Sequence, residues 1–176
     1  VASSAGNHAQ GVACAAKKFG IPATIVMPKT APIAKVQATE SYGAKVVLTC
    51  DCYDDAYKAA CEICEKENAT FLHPYNDLDV IAGQGTLGLE IVGDLPTVDM
   101  IVVPAGGGGL LAGVASAVKQ LNPRVKVYGV QAEGANAIAR SFREKKLIST
   151  ETASTIADGI AVKSPGDITE DIINQY

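Results

Sequence analysis

Met100-Ile101-Val102-Val103-Pro104-Ala105-Gly106-Gly107-Gly108-Gly109-Leu110 is the stretch on which the fold turns. The apolar run at its start reads as a buried strand, and the apolar pattern from Leu110 to Leu121 reads as a helix. Four glycines stand between them. Glycine lets the backbone turn with positive φ and carries no Cβ to hold a ligand away. A helix N-terminus behind such a bend adds unpaired N–H groups and the positive end of a dipole, which together suit a phosphate. The stretch predicts a strand, a phosphate-binding bend and a helix.

Outward from this point, strand and helix patterns alternate along the whole chain. Helices are expected over His8 to Phe19, Ile33 to Tyr42, Tyr53 to Glu67, Val80 to Val92, Ala135 to Lys145 and Ile168 to Tyr176. Strands are expected over Ala23 to Met27, Lys45 to Thr49, Thr70 to His73, Met100 to Val103 and Val125 to Gln131. Gly20 and Pro22 end the first helix, and Pro32 and Gly43 bracket the second. Asp51 or Asp54 is available to cap the third. Ser149 to Thr155 is polar and reads as loop, and Ile156 to Val162 is a short run broken by Gly159. Gly83, Gly85 and Gly88 lie within one helical pattern. At about 1 kcal/mol each relative to alanine, they point to the close approach of another backbone or a ligand.

Strands that alternate with helices of this length give an α/β fold of parallel sheets with helices on both faces. The strands are continuous apolar runs, as doubly covered parallel strands are. The loop His73-Pro74-Tyr75-Asn76-Asp77 separates two blocks, residues 1–76 and 77–176.

Composition narrows the function classes. The chain has 176 residues, of which 48% are hydrophobic and 19% charged, with a net charge of −4. That is an ordinary globular composition. No run of Lys or Arg offers a nucleic-acid surface, and 5% aromatic content leaves little for base stacking. No apolar stretch reaches the length of a membrane span. Five cysteines, Cys14, Cys50, Cys52, Cys61 and Cys64, include a Cys-x-Cys and a Cys-x-x-Cys. The second pair falls mid-helix, with Ala56, Ala60, Ile63 and Cys64 on one face, so a packing role is expected in place of zinc or redox chemistry. An odd cysteine count in such a composition fits a reducing cytoplasm.

A second loop, Ser3-Ser4-Ala5-Gly6-Asn7-His8-Ala9-Gln10-Gly11, precedes the first helix. Ser4, Asn7 and His8 offer donors, and the helix start adds N–H groups, so the loop suits a carboxylate. The plainer alternative is a helix cap, which Ser and Asn commonly provide. A glycine row elsewhere in the same fold favours the ligand. A nucleotide-binding alternative rests on Gly107-x-Gly109-x-x-Ala112, with Glu133 after the next strand to meet a ribose. It leaves the first loop unexplained. No Lys-Ser or Lys-Thr follows the glycines, so a P-loop is not indicated. His73, the other histidine, is expected to close a turn.

Three segments in order, Ser4-Ala5-Gly6-Asn7-His8-Ala9-Gln10-Gly11, Ala82-Gly83-Gln84-Gly85-Thr86 and Val103-Pro104-Ala105-Gly106-Gly107-Gly108-Gly109-Leu110, resemble the threonine/serine dehydratase family. Thr155-Ile156-Ala157-Asp158-Gly159-Ile160-Ala161-Val162 resembles a further segment of it. This family comprises fold-type II pyridoxal phosphate enzymes similar to tryptophan synthase β, including threonine ammonia-lyase and serine racemase. The resemblance implies pyridoxal 5′-phosphate as cofactor, with its phosphate on Gly106, Gly107, Gly108, Gly109 and Leu110 and its ring oxygen on Asn7. It implies a small-molecule amino acid substrate, L-threonine or L-serine, held by its carboxylate on Ser4, Ala5, Gly6, Asn7 and His8. The reaction it implies is dehydration and deamination to a 2-keto acid and ammonia. Racemases of the group resemble this chain but carry a serine where Ala5 stands, and alanine has no proton to give. Some relatives bind a divalent cation near Gln131 to Ala137; here only Glu133 is acidic in that stretch, and no metal is expected.

The resemblance also implies a cytoplasmic homo-oligomer, a dimer or tetramer, serving amino acid metabolism such as isoleucine biosynthesis. Residues 1–76 are then most of a small domain and 77–176 part of a large one. The catalytic Schiff-base lysine of the family lies upstream of the first loop. Lys17 and Lys18, on the helix after that loop, match no such motif. The 176 residues by themselves are therefore expected to be inactive.

Overall fold

The computed structural model describes residues 1–49 and 53–176, the side chains at 53 and 54 excepted. Cys50, Asp51 and Cys52, and the Asp54 side chain, on which part of the zinc and capping expectations fell, lie outside the described residues. The chain forms two compact units, Val1–Pro74 and Tyr75–Tyr176.

The first unit is a parallel three-stranded sheet in the order β1 (Ala2–Ser3), β2 (Thr24–Pro28) and β3 (Lys45–Thr49). Ala2 pairs with Ile25 and Ser3 with Val26, while β2 and β3 run in register from Thr24 with Lys45 to Pro28 with Thr49. The helices are α1 (Asn7–Phe19), α2 (Ile33–Ser41) and α3 (Tyr53–Glu67). β2 is the central strand, and both of its faces are covered. Ile25 and Met27 pack with Ala9 and Ala13 of α1 and with Val36 of α2, whereas Val26 packs on Ala56 and Ala60 of α3. α1 ends at Gly20, whose φ of 66° lets its N–H turn back to the Ala16 and Lys17 carbonyls, a left-handed cap.

Two expectations are corrected in this unit. Ser3 does not begin the first loop: Ala2 and Ser3 are a fully buried strand, too short to show any periodicity. Thr70 to His73 is not a strand. The Val1 amino group donates to the Thr70 carbonyl at 2.8 Å, and the Leu72 N–H donates to the Val1 carbonyl at 2.9 Å. Both of these hydrogen bonds go to the single residue Val1, and among the described residues the segment joins no ladder. On α3, Ala56 and Ala60 are buried and Ile63 packs beside them. Cys61 and Cys64 are half-buried free thiols, and Cys14 is exposed. Among the described residues no group of three or more His, Cys, Asp or Glu is placed to hold a metal.

The second unit holds α4 (Leu78–Asp94), β4 (Met100–Pro104), α5 (Gly109–Leu121), β5 (Lys126–Val130), α6 (Ala137–Glu144) and α7 (Asp167–Gln175), with 3₁₀ turns at Glu133–Ala135 and Asp158–Ile160. β4 and β5 are parallel, Met100 opposite Lys126 through Pro104 opposite Val130. α4 begins two residues before the expected Val80, because the Asp77 carboxylate accepts from the Asp79 and Val80 N–H groups at 2.9 and 3.0 Å. The helix expected from Ala135 is instead a 3₁₀ turn followed by α6.

Two of the four glycines of α4 serve close packing. A Cβ on Gly85 would lie 3.1 Å from the Gly113 carbonyl of α5, and one on Gly88 3.0 Å from Val118. Gly83 faces open space. The core joins Ile101 and Val103 of β4 to Leu111, Val114 and Val118 of α5, Ile81 of α4, Ile138 of α6 and Ile173 of α7. The opposite face of this sheet, with Met100, Val102, Tyr128 and Val130, is exposed. No described helix is long and apolar enough to cross a membrane.

Candidate functional site

The glycine row lies where the sequence predicts, between β4 and α5. Its glycines, however, are needed for more than turning. Only Gly108 has a positive φ, 101°. At the other three the constraint is contact. A Cβ on Gly106 would meet Ile160 at 3.1 Å and Val162 at 3.2 Å. One on Gly107 would collide with the Tyr75 ring, and one on Gly109 would lie 2.9 Å from Tyr75 Cβ. The Tyr75 hydroxyl donates to the Ser164 carbonyl at 3.1 Å, which anchors the ring against the bend.

The carbonyls of the bend are taken up from elsewhere in the unit. The Gln131 side-chain amide donates to the Ala105 carbonyl at 3.0 Å and, more weakly, to that of Gly106 at 3.4 Å. Its oxygen accepts from the Ala139 N–H of α6 at 2.8 Å. The buried Thr169 hydroxyl donates to the Gly107 carbonyl at 2.8 Å, and the Gly166 N–H reaches the same oxygen at 3.3 Å. In a trans peptide the C=O and the following N–H point in opposite directions. Tying the carbonyls of 105, 106 and 107 to these donors turns the N–H groups of Gly106, Gly107 and Gly108 away from them. The first N–H groups of α5 have no intrahelical acceptor either. The result is a set of amide hydrogens suited to an anion, at the positive end of a thirteen-residue helix.

The first loop belongs to the other unit. The capping alternative fails in detail there. The N-cap of α1 is Gly6, with no side-chain cap hydrogen bond. The Ser4 hydroxyl accepts from the Gly6 N–H at 3.2 Å, ahead of the helix, and keeps its own hydrogen to donate. Asn7 is the first helical residue and is exposed. Ala5 packs against the core cluster of Ala2, Ala9 and Ile25.

His8 is committed differently from the sequence expectation. Its Nε2 donates to the Leu72 carbonyl at 3.0 Å. Burial holds its pKa below the ordinary value of 6.5, and the hydrogen bond to Leu72, which favours the charged ring, offsets part of this. The ring is therefore neutral at pH 7, and its Nδ1 is an acceptor. An acceptor cannot bind a carboxylate, so what His8 offers an anion is its backbone N–H. His73 packs edge-on to Tyr57 and Phe71, with ring centroids 6.4 and 6.3 Å away, in an aromatic cluster.

Glu133 is exposed at the start of a 3₁₀ turn. Lys17 and Lys18 are exposed in the last turn of α1, beside the negative end of its dipole. Tyr75, Gln131 and Thr169 are not foreseen from the sequence. Their contacts with the bend span 25 or more residues, and no local pattern marks them.

The profile of the family described as "Pyridoxal-phosphate dependent enzyme" matches residues 1–176. An L-threonine ammonia-lyase of Thermotoga maritima is 56% identical over 176 residues, all of this chain and 44% of that protein. L-threonine dehydratase catabolic TdcB of Staphylococcus aureus is 50% identical over 173 residues, 98% of this chain and 50% of that one. Among solved structures, the processed form of threonine deaminase isoform 2 from Solanum lycopersicum superposes with a TM-score of 0.95 at 40% identity, over 99% of this chain and 51% of that one. Maize serine racemase gives a TM-score of 0.94 at 38% identity, over 98% and 52%. The chain spans about half the length of the curated relatives it matches.

Proposed function

Because the chain belongs to the family of pyridoxal-phosphate dependent enzymes, we propose that it forms about half of an L-threonine ammonia-lyase. That enzyme would convert L-threonine, and secondarily L-serine, to a 2-keto acid and ammonia. The observation that carries the reading is the glycine bend. Its carbonyls are tied down by Gln131 and Thr169, and its amide hydrogens are turned the other way.

Gly106, Gly107, Gly108, Gly109 and Leu110 would hold the cofactor phosphate. Asn7 would meet the ring oxygen with its exposed amide. Ser4, with the segment Ala5, Gly6, Asn7 and His8, would hold the substrate carboxylate, His8 through its backbone. The residues present fit the group: the bend offers donors to an anion, and the helix behind it favours negative charge. When bound, pyridoxal 5′-phosphate supplies the electron sink that this class of chemistry needs. The chain's own contribution is to bind and orient. Residues 1–76 would make up most of a small domain and residues 77–176 part of a large one. Lys17 and Lys18, exposed at a helix end, do not suit the role of a buried reactive amine, so the catalytic lysine would come from outside these residues.

Ala5 favours dehydration over racemisation, since a methyl group cannot protonate the substrate carbon. The likeness to maize serine racemase makes a serine racemase the second reading. The same proposal extends to a cytoplasmic dimer or tetramer serving amino acid metabolism, isoleucine biosynthesis included.

The test uses the full-length protein. Adding pyridoxal 5′-phosphate should give a Schiff-base absorption band, and L-threonine should then yield a 2-keto acid with no D-threonine. A protein that binds NAD and gives no such band would return the Gly107, Gly109 and Glu133 nucleotide reading. D-serine formed from L-serine would return the racemase.

A further inference from the structure

We propose that Gln131 and Thr169 are positioning residues that set the phosphate affinity of the glycine bend without touching the phosphate, an inference that rests on the reading of the bend as the phosphate site. Neither side chain lies on the bend. Gln131 follows β5, and Thr169 is fully buried in the first turn of α7. They act on it from two directions. The Gln131 amide spans the Ala105 carbonyl on one side and the Ala139 N–H of α6 on the other, at 3.0 and 2.8 Å. The Thr169 hydroxyl spans the Gly107 and Gly166 carbonyls, at 2.8 and 3.0 Å, and accepts from the Gly166 N–H at 3.1 Å.

Each of these bonds fixes the roll of one peptide plane, and the roll decides where the next N–H points. A four-glycine segment has more rotational freedom than any other sequence of that length. Its amides can converge on an anion only if that freedom is removed beforehand. The backbone of β4 fixes one end and α5 the other. Gln131 and Thr169 fix the peptides between, before any ligand arrives. Preorganised donors bind an anion more tightly because less order is created on binding.

The consequence is selective. Loss of either side chain should weaken recognition of the phosphate group and leave recognition of the rest of the cofactor unchanged. Apo-protein of the full-length chain is titrated with pyridoxal 5′-phosphate and with pyridoxal, which has the same ring and aldehyde and no phosphate. The Schiff-base band reports both. The wild type should prefer the phosphorylated form strongly. Thr169→Val, which keeps the volume and removes the hydroxyl, should lose about tenfold of that preference, the size of one amide–phosphate hydrogen bond lost when the Gly108 N–H is no longer held in line. Gln131→Met should do the same, and Thr169→Ser should restore it.

A variant that is merely less stable would bind both aldehydes equally less well and keep their ratio. Ratios unchanged within twofold in both Thr169→Val and Gln131→Met would overturn the proposal while the phosphate site stands. A wild type that binds the two aldehydes equally would overturn the phosphate reading itself. Should Thr169→Val not fold, the ratio measured for Gln131→Met decides alone.

Discussion

Gly107 is glycine because of Tyr75. Its φ is ordinary, but a Cβ there would stand well inside van der Waals contact with the ring. Gly107→Ala should therefore destabilise the fold by about 1–3 kcal/mol through overpacking. Urea unfolding would read this as a lower midpoint. Combined with Tyr75→Ala, the two losses should add to less than their sum, since the second removes what the first collides with. Full additivity would show that Tyr75 does not set the constraint. His8 illustrates the same reversal of roles. Its folded pKa lies below 6.5 because its ring is partly withdrawn from water. The unfolded chain then takes up the proton first as pH falls. The contribution of His8 to stability is present above about 6.5, is lost as pH falls through the folded pKa, and levels off below it. His8→Gln should flatten the stability profile across that window. An identical pH slope in the variant would show that His8 titrates alike in both states. The sequence marks both residues as notable, and at each the structure adds a contact that the motif does not announce. Short motifs name positions well, but the neighbours that explain them, here Tyr75 and Leu72, come from far along the chain.

At the scale of elements, legibility follows length and periodicity. Helices of nine or more residues and strands β2 to β5 stand close to where hydrophobic period and capping residues put them, because those signals are local. β1 is invisible in the sequence because two residues carry no period, and Thr70 to His73 misleads because β-type composition does not guarantee a pairing partner. The α4–α5 contact is a middle case. Three glycines in one helix announce close packing, but only the structure separates Gly83, which faces open space, from Gly85 and Gly88, which meet α5. Gly83→Ala should stabilise by about 0.5–1 kcal/mol, since the helix gains propensity at no steric cost. Gly113→Ala should destabilise by about 1–3 kcal/mol, because its Cβ would collide with the Ile81 carbonyl and lie 2.7 Å from the Gly85 nitrogen, both backbone atoms that cannot swing aside. Thermal unfolding of the two variants should move in opposite directions. Shifts of the same sign would contradict the helix–helix geometry.

For the molecule as a whole, the two faces of the β4–β5 sheet stand in contrast. One face is core. On the other, Met100, Val102, Tyr128 and Val130 are 50%, 58%, 47% and 49% exposed. Parallel sheets are ordinarily covered on both sides, as β2 is in the first unit, and a contiguous apolar patch facing water generally marks a contact. The relatives are about twice as long as this chain, and in a protein of their length the further polypeptide would supply the cover. The 176 residues produced alone should bind a dye such as ANS and self-associate, and Val102→Lys should reduce both by breaking the patch with a charge. In the full-length protein the same substitution should have the opposite consequence. There it would bury an unpaired ammonium, which is among the few single changes that destabilise severely. Differential scanning calorimetry of full-length wild type and Val102→Lys separates the cases: a melting temperature lowered by several degrees places this face in the interior, and an unchanged one leaves it in water.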